Sequence, residues 1–183
     1  MASGVDPLPR SGQAPESGPP RRLFVLTALV TVGLDLITKL VAEATLLRTP
    51  GVSVFGDWFQ LRLVYNQGAA FGLHVGPYSR WIFFTVALIA VFVLARMSRG
   101  SPPADRFRHF ALGLVAGGAA GNLIDRVRSA RGVVDFLDVG VGALRWPTFN
   151  VADIAVSCGA IALAISLWRE DARRAEAESV STA

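Results

Sequence analysis

The sequence predicts a mainly α membrane protein, four transmembrane helices with a small extracytoplasmic β-hairpin or cradle, and three observations predict it. Apolar residues gather in long uninterrupted blocks: 52% of the 183 residues are hydrophobic and the mean hydropathy is +0.45, whereas a soluble domain is about 45–50% apolar even with Gly counted. Arginines bracket those blocks and tryptophans stand at their margins, as interfacial anchors do. The connection after the first block alternates apolar and polar side chains, as a half-buried strand does.

Composition narrows the function classes. The net charge of +4 is carried by arginines beside hydrophobic segments instead of along one helix face, so the expected counter-charge is membrane lipid and not nucleic acid. Cys158 is the single cysteine, which excludes an intrachain disulfide and a cysteine-built metal site. His74 and His109 lie on different segments with no His-Glu-x-x-His pattern. No metal and no cofactor is expected, and no oligomer is implied.

Taken in order, residues 1–22 are rich in Pro, Gly and Ser and are expected to form a disordered cytoplasmic tail. Residues 23–168 are expected to form the membrane domain. Its first helix, 23–47, follows Arg21 and Arg22; Ala42-Glu43-Ala44 has the form of a signal-peptide cleavage site, but Asp35 and Lys39 interrupt the apolar region where it would have to stay apolar, so a retained helix is expected. Asp35, Lys39 and Glu43, four apart, share a helix face with the acid N-terminal to the base. They read first as a structural ion pair that anchors this helix, and second as the frame of a polar cavity.

Residues 52–65 read as a hairpin, in which Phe59, Leu61, Leu63 and Tyr65 alternate with Trp58, Gln60, Arg62 and Val64. Helix 2, about 78–97, has a charge-free interior from Trp81 to Ala95 and reads as scaffold. In helix 3, about 107–125, Gly113, Gly117 and Gly121 recur at intervals of four, a pattern that lets two helix backbones approach closely. Residues 126–149 read as a second polar connection. Helix 4, about 150–168, carries Asp153 in its first turn, where an acid favours the positive end of the helix dipole. Residues 169–183 form a charged cytoplasmic tail.

Four spans place both termini on one side. Ten arginines on that side against seven on the other put the termini inside, a modest positive-inside bias. At about 1.5 Å per residue, Asp35 and Lys39 lie about 18 and 24 Å up helix 1 and Asp125 about 22 Å up helix 3, while Asp153 enters helix 4 from outside. The stretch from Gly117 to Phe136 turns from apolar to polar at Asn122 and carries Asp125 and Asp135. Charges this deep cost about 2.5–3.5 kcal/mol each unless they have partners, and the convergence at one depth predicts a single polar site open to the outside.

Such a site has carboxylates as its chemical tools. Two carboxylates close together in a low-dielectric pocket share a proton, so that one takes a proton from water while the other gives one to a carbonyl oxygen, which is aspartic peptide hydrolysis. The alternative is a small proton- or cation-coupled transporter built on the same intramembrane carboxylates, although neither an internal repeat nor a broken helix is evident.

Five motifs run in order across the four spans: Asp35-x-x-Thr38-Lys39, Asn66-x-Gly68-Ala69-Ala70-Phe71, Gly117-Gly118-Ala119-x-Gly121-Asn122-x-x-Asp125-Arg126, Val134-Asp135-Phe136 and Phe149-Asn150-x-Ala152-Asp153. As a set they resemble the motifs of the bacterial lipoprotein signal peptidases, signal peptidase II, over about Leu23 to Trp168. The resemblance implies a membrane aspartyl endopeptidase of the bacterial cytoplasmic (inner) membrane. It would cleave lipidated prolipoproteins on the amino side of a diacylglyceryl-modified cysteine, near the outer face. The family's catalytic dyad maps onto Asp135 and Asp153. Positions that hold the substrate backbone or order the site map onto Asn66, Gly68, Asn122, Arg126 and Asn150, and the supporting polar network onto Asp35, Lys39 and Asp125. Asp138, three residues beyond Asp135, belongs to no motif, and its replacement by Asn is expected to be tolerated.

Overall fold

The computed structural model describes residues 21–68 and 75–181. Of the tail expected over 1–22, residues 1–20 lie outside the described residues, as does the Ala69-Ala70-Phe71 part of the second motif, while Arg21 and Arg22 begin the first helix. The elements in order are α1 (Arg21–Leu46), β1 (Val52–Phe55), β2 (Phe59–Asn66), α2 (Ser79–Gly100), α3 (Arg106–Arg128), β3 (Val133–Val141), β4 (Leu144–Arg145) and α4 (Val151–Ser181).

α1, α2 and α4 are long and apolar enough to cross a membrane. Their large apolar side chains point outward, for example Leu29 on α1, Phe92 on α2 and Ile161 on α4, because lipid solvates them as well as a protein core would. α3 is the less apolar helix, and its position explains why: it packs on each of the other three helices and so keeps polar residues out of lipid. Its glycine stripe makes that packing possible. A Cβ at Gly117 would stand 2.7 Å from the Ala28 carbonyl oxygen, and one at Gly113 2.7 Å from Thr27 Cβ, both on α1. Gly118 meets the backbone of α4 at Ala152 in the same way.

The strands form one antiparallel sheet in the order β1-β2-β3-β4. The 52–65 hairpin is present as β1 and β2, but β3 falls in the stretch expected to be only a connection. Its first four residues, Val133 to Phe136, are all buried, so the alternation that marks a strand with one wet face is absent there. Phe136 packs with Ala42 and Leu46 of α1 and with Leu61 and Leu63 of β2, which fastens the sheet to the bundle. Gly132, at φ +108°, approaches Asn66 so closely that a Cβ would overlap its carbonyl. The pairing that follows sets Asn66 opposite Val133 and Val64 opposite Asp135. Beyond Trp168 the charged tail continues α4 as an exposed helix to Ser181, supported by a Glu170–Arg174 pair at the helical spacing of four.

Two buried charge clusters tie these layers together. Lys39 of α1 has no exposed side-chain surface and lies 2.7 Å from both Asp35 and Asp125, themselves fully buried. The acid and base four apart on α1 are therefore part of a triad that includes α3, and not a simple pair. In the sheet, Asp138 is 1% exposed and accepts from Arg145 Nε at 2.7 Å and, more weakly, from Arg62 at 3.4 Å. The expectation that Asp138→Asn is tolerated in cleavage therefore concerns a buried carboxylate that holds an arginine, whose loss bears on stability whatever motif it lacks.

Two stability outcomes follow from these clusters. Lys39→Met leaves two buried like charges unneutralised and is expected to cost about 3–5 kcal/mol; in thermal unfolding in detergent, Lys39→Met/Asp35→Leu should recover part of that loss, since Asp125 keeps Arg128 at 2.8 Å. A double variant that melts below the single one would contradict the triad. Asp138→Asn is expected to cost about 1.5–3 kcal/mol, read as a lower melting temperature, and an unchanged melt would show that the Arg145 contact contributes nothing.

Candidate active site

The cluster begins with two backbone contacts. Asp35 Oδ1 accepts the backbone N–H of Ala152 at 2.9 Å and Asp125 Oδ2 that of Val134 at 3.2 Å. Each of these residues immediately precedes an acid of interest, Asp153 and Asp135. The buried triad therefore holds the start of α4 and the start of β3 in fixed relation, although the two lie far apart in sequence.

Asn150 and Asp153 form a reciprocal cap at the start of α4: the Asp153 backbone N–H donates to Asn150 Oδ1 at 2.9 Å, and the Asn150 N–H donates to Asp153 Oδ2 at 3.2 Å. Capping sets the Asp153 rotamer and turns the Asn150 side-chain amide toward β3, where Nδ2 donates to Asp135 Oδ1 at 2.7 Å. Asn66, at the end of β2, donates to the other oxygen of Asp135 at 3.1 Å. Asn122 of α3 donates to Asp153 Oδ1 at 2.8 Å and accepts from Lys39 Nζ at 2.9 Å. A single residue, Asn150, thus touches both acids, and Asn122 links one of them to the triad.

Arg126 reaches the Gly68 carbonyl at 2.9 Å and the Asn122 carbonyl at 3.1 Å, while the Gly68 N–H donates to Asn66 Oδ1 at 2.9 Å. Every residue of the expected dyad, site-ordering set and supporting network therefore lies in one connected network, with Asp35, Lys39 and Asp125 behind it and Asn66, Gly68, Asn122, Arg126 and Asn150 around the two acids. Asp138 stands apart on its arginines. Two contributors carry no local signal. Arg80, in the first turn of α2, donates to the Arg126 carbonyl at 2.6 Å and so caps the end of α3, and the Phe83 ring lies 5.9 Å from the Arg126 guanidinium. Both contacts join residues more than 40 apart, which no spacing rule reports.

Asp135 and Asp153 open into one cavity of about 530 Å³. Its walls are apolar, with Phe83, Val86 and Ala87 from α2 facing Ile154, Val156 and Cys158 from α4. Burial first, and then the neighbouring Asp153 carboxylate, push the Asp135 carboxyl up to about 7, against the Asn66 and Asn150 amides that favour its charged form. The arrangement is an apolar trough with a carboxyl pair at its polar end, one member of which can stay protonated near neutrality.

Comparison with known proteins agrees with this architecture. The family model for signal peptidase (SPase) II matches residues 27–169. The lipoprotein signal peptidase of Francisella tularensis subsp. novicida (strain U112) is 36% identical over 147 residues, covering 79% of this chain and 90% of that protein. That of Oleidesulfovibrio alaskensis (strain ATCC BAA-1058 / DSM 17464 / G20) is 38% identical over 153 residues, covering 81% and 97%. A solved structure described as a bacterial membrane enzyme determined by the in meso method at 2.3 Å resolution superposes with a TM-score of 0.73 at 29% identity, covering 82% of this chain and 90% of that one. With the motif set, the helical bundle and the buried carboxyl cluster in agreement, the chain belongs to the signal peptidase II family, and it is a bacterial membrane protease.

Proposed function

We propose that this membrane signal peptidase is an aspartic endopeptidase in which Asp135 and Asp153 are the catalytic dyad. Its substrates are lipidated prolipoproteins, cut on the amino side of a diacylglyceryl-modified cysteine. The observation that carries the reading is the shared cavity, in which two acids held by one asparagine face the same space and one of them is pushed up to about 7. No specific observation favours the transporter alternative.

The chemistry follows from that asymmetry. Asp153 takes a proton from a water molecule as the water oxygen attacks the scissile carbonyl carbon, while Asp135, which keeps its proton near neutrality, gives it to the carbonyl oxygen. The tetrahedral intermediate collapses when that hydroxyl proton returns to Asp135, the C–N bond breaks, and the leaving amine takes the proton held on Asp153. Both acids end as they began. Asn66, Asn122 and Asn150 keep the carboxyls oriented, and the Arg126 Nε, buried without a hydrogen-bond partner among the described residues, is free to bind a substrate carbonyl. The apolar trough accommodates a signal helix entering from the lipid, and the exposed aromatics Phe55 and Trp58 of the β1–β2 hairpin suit a ledge at the membrane surface. In this reading the membrane domain spans 23–168, both termini are cytoplasmic, and the dyad lies near the outer face of the cytoplasmic membrane.

Purified protein with a lipidated peptide substrate provides the test. Asp135→Asn and Asp153→Asn should each reduce cleavage by about 10²–10⁴-fold with expression and membrane insertion unchanged; substantial cleavage by either variant would remove the dyad assignment. The pH profile supplies a second check. An acid raised to about 7 keeps its proton below that value and loses it above, so the rate should fall as pH rises through about 7. A rate that instead climbs through this range would place the essential proton elsewhere.

A further inference from the structure

The end of the bundle away from the dyad holds a second cavity, of about 520 Å³, between the start of α3 and the middle of α4. Along α4, Arg169 lies about 24 Å from Asp153 at 1.5 Å per residue, so this cavity belongs to the opposite leaflet. Its floor is a constructed polar cluster. The Arg108 side chain is 9% exposed and is bound by Glu170, by Ser166 Oγ at 3.3 Å and by Asp105 at 3.4 Å. Both acids of the cavity are thereby engaged with Arg108, Glu170 also holding Arg174.

The rim differs from the floor. Arg106, Arg169 and Arg173 line the same cavity, are exposed, and have no acidic partner among the described residues. Arg169 is held in place by the Phe107 ring at 5.8 Å. Three unneutralised guanidiniums around one concavity need an anion, and guanidinium forks match phosphate oxygens. The surroundings specify which anion. One helical turn from the lining Arg106 and Arg169, Phe110 on α3 and Ile165 on α4 are exposed apolar side chains, and Trp168, next to Arg169 in the chain, is 73% exposed as interfacial tryptophans are. A soluble phosphate uses only the arginines, whereas a phospholipid uses the arginines and the apolar seam below them.

We infer that this cavity is a binding site for the phosphate headgroup of an anionic phospholipid, seated between Arg106, Arg169 and Arg173 with its acyl chains along the α3–α4 seam. The site is distinct from the lipid-bearing substrate's cavity at the dyad and lies in the other leaflet. A bound lipid would join α3 to α4 where their contact is polar, and so stabilise the bundle without touching the reacting groups.

The test uses the full chain, delipidated in neutral detergent, and its melting temperature as phosphatidylglycerol, phosphatidylethanolamine or inorganic phosphate is added. Phosphatidylglycerol is expected to raise the melting temperature in a saturable manner and the other two to leave it unchanged. Arg169→Gln/Arg173→Gln should weaken that binding about tenfold or more, while Arg96→Gln/Arg99→Gln, which removes two exposed charges from the end of α2, should leave it intact; neither variant should alter cleavage in detergent. Equal stabilisation by phosphatidylethanolamine, an equal effect of inorganic phosphate, or equal loss in both double variants would overturn the site, the last by reducing it to diffuse surface charge. Because Arg169 and Arg173 are exposed and make no ion pair among the described residues, their variants are expected to fold as the parent does.

Discussion

The structure depends on one buried cation. Lys39 has no contact with solvent and faces two carboxylates that have none either, so the three groups are tolerable at this depth only together. That obligation fixes α1 against α3, and through Asp35 and Asp125 it reaches the backbone just before Asp153 and Asp135. Lys39 also bonds Asn122, which bonds Asp153. The charges that would be hardest to place in a membrane are thus the ones that position the two cavity carboxyls, and no packing of apolar side chains would define those positions as closely, because dispersion contacts do not prescribe an angle.

The second constraint is the inverted distribution of polarity. Lipid removes any reason to hide apolar side chains, so α1, α2 and α4 turn theirs outward, and what associates the helices is close backbone approach along the α3 glycines together with the polar clusters. α3 is released from having to be apolar because its neighbours cover it. It therefore carries polar residues at both ends: Asn122, Asp125 and Arg126 toward Asp135 and Asp153, and Arg108 and His109 toward the other end of the bundle, all buried or half-buried. The two cavities lie at these two ends.

Asp135 and Asp153 differ although both are aspartates near the same polar end. Asp135 sits in a strand whose first residues are buried, and there the lost hydration of the charged form outweighs two amide donors. Asp153 sits in the first turn of a helix, where it accepts its partner's backbone N–H and faces the positive end of the dipole. The raised pKa of Asp135 therefore comes from the strand that buries it.

The amino-acid sequence by itself determined the spans, the glycine stripe and the five motifs. It also placed Asp35, Lys39 and Asp125 at one depth, because helical rise and spacing are local rules that need no knowledge of neighbours. It did not disclose β3, whose buried residues erase the alternation that identifies a strand, nor the helical course of the charged tail after Trp168. Nor did it disclose that Asp138 is buried on Arg145, or that Arg80 caps α3. Only the tertiary structure decided that Asp135 and Asp153 share a cavity and a connecting asparagine, and that one sits in the drier setting. Burial and the distance between charges are properties of chains brought together from remote positions, and no window of sequence contains them.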